Sequence, residues 1–82
     1  MADAARELVE FLVRSLVEEP DSVRVEAIED DGGTVLEVHV AEGDHGRVIG
    51  REGRVANAIR TIAKAAATAQ DGGRVMVEIV ED

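Results

Sequence analysis

Cysteine, tryptophan and tyrosine are absent from the 82-residue chain, and phenylalanine and proline occur once each, as Phe11 and Pro20. Without cysteine there can be no disulfide and no thiolate metal site. With a single aromatic there is no platform on which bases could stack, which excludes the recognition mode of RRM and OB-type modules. No apolar run approaches the roughly 20 residues of a membrane span. No basic-then-apolar leader opens the chain, so the reading is a cytoplasmic protein with no membrane association. Cations are scarce too: 9 Lys and Arg face 18 Asp and Glu, a net charge of −9. That balance speaks against a broad phosphate-binding surface, because phosphate contact is electrostatic.

What is present sorts into one small domain covering residues 1–82. A helix is predicted over 3–18, with Asp3 as N-cap and Ala5, Leu8, Val9, Leu12 and Leu16 on one stripe. Phe11, Val13 and Val17 widen that stripe and are assigned to the core. Pro20 ends the helix, since the residue before a proline is forced out of helical geometry. Residues 22–28 alternate, with Val23, Val25 and Ala27 inward. Residues 34–40 alternate again, with Leu36, Val38 and Val40 inward and Glu37 and His39 outward. Asp30-Asp31-Gly32-Gly33 joins the two as a hairpin.

A short helix follows from His45 to Ile49, with Asp44 as its cap and Gly50 as its stop. A long helix then runs from Gly53 or Arg54 to about Gln70. Its predicted apolar face is Val55, Ile59, Ile62, Ala66 and Ala69. Arg54, Asn57, Thr61, Lys64 and Thr68 take the opposite face, with Arg60 at the margin. Gly72-Gly73 stops this helix, and a last strand covers 74–80. The order is α-β-β-α-α-β. The fold class is α+β, a three-stranded sheet with helices packed on one face, which buries each apolar stripe once.

Charge is segregated along the chain. Between Arg47 and Lys64 lie five cations and one acid, Glu52, a net of +4; the other residues hold four cations and seventeen acids, a net of −13, against −9 for the whole chain. A charge run is ordinarily a solvated helix face, but this one surrounds Gly50-Arg51-Glu52-Gly53. Two helices meet at that turn. A helix start offers backbone N–H groups and a positive dipole end, and glycine admits a close backbone approach. Arg47, Arg51 and Arg54 are within reach, so the turn reads as an anion site of the helix-start kind. Glu52 is the residue that does not suit this purpose. A lone G-x-x-G carries little weight; Val48-Ile49 before it, Arg54-Val55 after it and the β-α-turn-α-β setting strengthen it.

The stretch GRVIGREGRVANAIRTIAKAAA resembles the centre of a KH RNA-binding domain, whose signature is I-G-x-x-G between two helices. The element order resembles the type II, bacterial form. The length, the first helix with its EEPDSVRV continuation and the ending GRVMVEIVED are similar to the small single-KH KhpA family. The resemblance spans essentially the whole chain, with the RNA-binding part at about 34–81. It implies that the turn clamps a short single strand of about four nucleotides by its backbone. Gly50 and Gly53 then allow close approach and Arg51 pairs with phosphate. Val48, Ile49 and Val55 are candidates for an apolar groove under the bases, and Asn57 for a base edge. Arg60 and Lys64 would track the backbone along the long helix. The family carries a cation or neutral polar residue at the variable turn positions, so Glu52 departs from its pattern.

The resemblance also implies single-stranded RNA as ligand, in the role of a low-specificity RNA chaperone or post-transcriptional regulator. It further implies a homodimer, or a heterodimer with a larger multi-domain KH protein of the KhpB or Jag family. Ala56, Ala63 and Ala67 form a stripe of small residues that could serve such a contact or stand exposed as helix formers. No catalysis, cofactor or metal is expected. There is no phosphate-loop motif, Ser15 and Ser22 have no evident base to assemble a nucleophile, and His39 and His45 lack ligand spacing. Two rivals remain. One is a protein-interaction module with weak RNA binding. The other is a DNA-binding helix-turn-helix made of the two helices around the turn, opposed by the shortness of the helix at His45 to Ile49 and by the terminal strand.

Overall fold

A computed structural model describes residues 3–71 and 73–81. The elements are α1 (Asp3–Leu16), β1 (Arg24–Asp30), β2 (Gly33–His39), α2 (His45–Ile49), α3 (Arg54–Asp71) and β3 (Val75–Ile79), with single 3₁₀ turns at Pro20–Ser22, Glu42–Asp44 and Arg51–Gly53. The order is the expected α-β-β-α-α-β.

The strands lie in the order β1-β2-β3. β1 and β2 are antiparallel, with Ala27 opposite Leu36 and Asp30 opposite Gly33. The hairpin loop is thus only Asp31-Gly32, a length suited to the right-handed twist of the strands. The Gly32 N–H donates to Asp30 Oδ1 at 2.8 Å. β3 pairs with β2 in parallel, with Leu36 opposite Val77. A parallel pair needs a long crossover, and here α2, the glycine turn and α3 supply it.

Helices cover one face of the sheet. Leu36 and Val38 of the central strand meet Ala5, Val9 and Val13 of α1, Val48 of α2, and Ile59, Ala63 and Ala67 of α3 in one core. The other face of the sheet is uncovered among the described residues.

Several expectations are corrected. Asp3 lies inside α1, in its first turn, rather than before it. α1 ends at Leu16, not residue 18, because the next free amides are captured elsewhere: Glu18 N–H and Glu19 N–H donate to Asp44 Oδ1 and Oδ2, each at 3.1 Å. Asp44 stands at the N-cap position of α2, as expected, but its side chain makes no capping hydrogen bond there. It is a buried anchor that ties the end of α1 to the start of α2. Val13 is core, but Phe11 is 66% exposed. Ala27, midway along the edge strand β1, is exposed.

The buried face of α3 is also rotated from the one expected. Ala56, Ile59, Ala63 and Ala67 point into the core, whereas Ile62 is 39% exposed and Ala69 lies at the surface. The steps of three and four are helical on either reading. The deciding factor is that α1 and α3 pack together, and alanine allows a closer helix approach than isoleucine. The alanine stripe is therefore internal and unavailable as a contact between molecules.

Candidate nucleic-acid interface

The turn between α2 and α3 is built from unusual backbone. Gly50 has φ 75°, Gly53 φ 77°, and between them Glu52 is the only described non-glycine residue with positive φ, at 56°. Gly50 is needed twice over. Its φ suits glycine, and a Cβ there would lie 2.5 Å from Val55 Cγ2 and 2.9 Å from Val55 N. Gly53 needs glycine for conformation alone, since a Cβ there meets only Asn57 Nδ2, at 4.0 Å. The helical turns are closed by Gly50 N–H donating to Gly46 O at 2.9 Å and Gly53 N–H to Gly50 O at 3.2 Å. Arg54 N–H donates to Arg51 O. Two N–H groups at the start of α3 are thus already used within the turn, so the exposed side chains of Arg51 and Arg54 are the main anion contacts this turn offers.

The five cations of the positive segment divide by partner. Arg47 Nη2 meets Glu18 Oε2 at 3.0 Å and its Nε meets Asp44 Oδ1 at 3.5 Å. It braces the junction of α1 and α2. Arg60 Nε donates to Val77 O at 3.2 Å and its Nη1 to Asn57 Oδ1 at 3.0 Å. Arg51, Arg54 and Lys64 form no salt bridge among the described residues, and all three are exposed. Arg54 and Lys64 lie ten residues apart on α3, about 15 Å along its axis. Lys64 lines a cleft of about 630 Å³ with Thr34, Thr68 and Arg74, at the far end of α3 from the turn.

The apolar candidates separate as well. Val48 is fully buried and supports the turn from beneath. Ile49 and Val55 are half-buried at the surface beside the turn. Asn57 is exposed; its oxygen accepts from Arg60 and its backbone oxygen from Thr61 Oγ1 at 3.0 Å, leaving its amide N–H groups directed to no described acceptor. The arrangement is a glycine turn, two open arginines, a half-buried apolar strip and the edge strand β3 tied to α3 by Arg60.

The family model described as "KhpA/KhpB, KH domain" matches residues 6–79. The chain belongs to the KhpA/KhpB KH-domain family. Relatives named RNA-binding protein KhpA include those of Borreliella burgdorferi, 47% identical over 92% of this chain and 90% of the relative, and of Leifsonia xyli, 51% identical over 87% and 90%. That of Mycobacterium bovis is 44% identical over 99% of this chain and 96% of the relative. Among solved structures, Aquifex aeolicus Era bound to GDP.AlF4- is similar with a TM-score of 0.65 and 26% identity, covering 95% of this chain and 31% of that one. The order and pairing of strands in this KH domain accord with the type II form that the sequence resembles.

Sequence reasoning missed three features of this KH domain. Asp44 as a buried anchor was hidden because its partners are backbone amides 25 and 26 residues away. The left-handed Glu52 was hidden because only its glycine neighbours signal a turn. The third is a cluster on the opposite sheet face, where ligand atoms of Glu26, Glu37 and His39 lie within 4.8 Å of one another. Glu26 and Glu37 come together only through the register of β1 on β2. His45 is engaged differently, with its ring nitrogens 3.0 Å from Glu42 O and 2.9 Å from Val80 O. No helix of the described residues is long and apolar enough to cross a membrane.

Proposed function

We propose that residues 1–82 form a single, non-catalytic KH domain that clamps short single-stranded RNA at the Gly50–Gly53 turn, with little sequence preference. The observation that carries this reading is the set of open cations, Arg51 and Arg54 at the turn and Lys64 farther along α3, beside a turn whose positive-φ backbone Gly50 and Gly53 adopt without strain. Phosphate binds Arg51 and Arg54. Bases lie over Ile49 and Val55, and the Asn57 amide and the backbone of β3 meet their edges. Val48 and Arg47 act from behind: Val48 supports α2, and Arg47 holds α2 to the end of α1. Arg60 holds the wall of the groove and adds positive potential; Lys64 extends it. The relatives' name supports RNA as the ligand.

In the cell this activity is that of an RNA chaperone or post-transcriptional regulator in the cytoplasm, acting as a homodimer or with a larger multi-domain KH protein. Such an assembly has to use a surface other than the alanine stripe of α3. The deciding experiment replaces Arg51 and Glu52 with two aspartates and measures fluorescence anisotropy of a short unstructured RNA across salt concentrations. Loss of binding with an unchanged circular dichroism spectrum is expected. Unchanged affinity in a folded variant would remove the clamp.

A further inference from the structure

The uncovered face of the sheet is ordered into rows. Strand register places Ile28, Val35 and Met76 side by side across β1, β2 and β3, and next to them Glu26, Glu37 and Glu78. In the apolar row Met76 is 64% exposed and Ile28 45%. In the acidic row, Glu26 meets Arg24 Nε at 2.8 Å, and His39 Nε2 lies 3.9 Å from Glu26 and 3.8 Å from Glu37. Glu78 forms no salt bridge among the described residues. Like charges directly opposite on neighbouring strands destabilise a sheet. Three in a row, beside the exposed Ile28 and Met76 and the half-buried Val35, is an arrangement that folding alone disfavours on both counts.

We infer that this face docks a basic amphipathic helix of a protein partner. The charge sign identifies the chemistry: an acidic row repels nucleic acid and attracts a lysine- or arginine-rich flank, while the neighbouring row takes that helix's apolar stripe. The dimensions agree. Strands lie about 4.8 Å apart, so each row is about 10 Å long. A helix laid across the strands presents side chains every three or four residues, about 5–6 Å apart, so roughly two turns match a row. Met76, at the end of the apolar row, is unbranched and adapts to uneven partners. The apolar row borders the cleft that Val35 and Met76 share with Lys64 and Arg74, at the end of α3 away from the glycine turn, so a docked helix leaves that turn open. This inference does not depend on the RNA-binding reading.

The test uses two synthetic helical peptides of about 18 residues, roughly five turns, that share a leucine stripe and differ only in whether lysine or glutamate flanks it. Binding to the full chain is followed by anisotropy and by amide NMR shifts. The lysine peptide is expected to bind at least tenfold more tightly than the glutamate peptide, to shift amides of all three strands and to weaken with salt. The triple variant Glu26→Gln, Glu37→Gln, Glu78→Gln should melt higher than the parent and bind the lysine peptide at least tenfold more weakly. Equal binding of the two peptides, shifts confined to the helices, or undiminished binding by the triple variant would overturn the inference. So would sedimentation showing a dimer that Met76→Asp dissociates, since that assigns the face to a second copy of the chain.

Discussion

Arg60 fastens α3 to the edge strand β3, its Nε donating to the Val77 carbonyl at 3.2 Å while its Nη1 donates to Asn57 Oδ1. One side chain therefore links Asn57 on α3 to the edge strand beside it. Arg60→Lys keeps the charge but not the planar fork that reaches both acceptors. The expected result is a loss of about 1 kcal/mol of stability in urea unfolding, the usual worth of a partly buried hydrogen bond. RNA affinity should fall severalfold with an unchanged salt slope, because the charge count is the same. A slope reduced by about one would instead make Arg60 a phosphate contact.

The two glycines of the turn should respond unequally. Gly53→Ala meets only the cost of a left-handed residue, about 1–2 kcal/mol. Gly50, at φ 75° and ψ 176°, lies in a region essentially confined to glycine, so Gly50→Ala costs about 1–3 kcal/mol in backbone strain and also drives a methyl to within 2.5 Å of Val55 Cγ2, adding about 1–3 kcal/mol of overpacking. Thermal unfolding should therefore place Gly50→Ala at least 4 °C below Gly53→Ala, taking about 4–8 °C per kcal/mol for a domain of this size. Equal melting points would contradict the close packing of Gly50 on Val55.

Glu52 combines a disfavoured conformation with a disfavoured charge. At φ 56° and ψ 26° it occupies the left-handed region, which asparagine tolerates better than other residues with a side chain. Glu52→Asn should raise stability by about 0.5–1 kcal/mol. It should also tighten RNA binding severalfold, because an anion leaves the neighbourhood of Arg51 and Arg54. Chemical denaturation and anisotropy on one preparation check both; weaker RNA binding would show that Glu52 contributes to the ligand rather than opposing it.

Asp44 is 2% exposed, and its two oxygens satisfy the amides of Glu18 and Glu19. Asp44→Ala leaves both N–H groups without an acceptor and Arg47 without its inner partner. A loss of about 2–4 kcal/mol is expected, at about 1–3 kcal/mol for each unsatisfied group. The midpoint of urea unfolding measures it, and a change under 1 kcal/mol would mean that the amides find other acceptors.

Ala63 tests where the alanine stripe lies. It is fully buried, so Ala63→Leu should destabilise the monomer by about 1–3 kcal/mol through overpacking. A shift in oligomeric state without loss of stability, seen by sedimentation, would return the stripe to the surface.

The sequence carried the order of elements, the span of α2 and the position of the glycine turn, because each rests on local signals: period-two alternation, a proline, and glycines at helix ends. Local signals do not encode how close two helices come, so the wheel of α3 was turned toward its bulky residues and away from Ala63 and Ala67. They do not encode partners distant in sequence either. Arg47 reads as a member of the positive segment, yet Glu18 and Asp44 hold it. Of the twelve residues expected at the site, Arg51 and Arg54 stand open at the turn and Lys64 farther along α3. Val48 supports the turn from within the fold, and Arg47 is held at the surface by Glu18 and Asp44.

The parallel pairing of β2 with β3 has a consequence in time. The hairpin of β1 and β2 closes through a two-residue loop and can form at once. The glycine turn belongs to a crossover that is held only when Thr34 meets Val75 and Val38 meets Ile79, contacts of about forty residues' separation that form slowly. The bond from Arg60 to Val77 forms only when this last seam closes. A chain caught halfway through folding has no β3 beside α3 for Arg60 to hold, so competence to grip a strand of RNA would itself report that folding is complete.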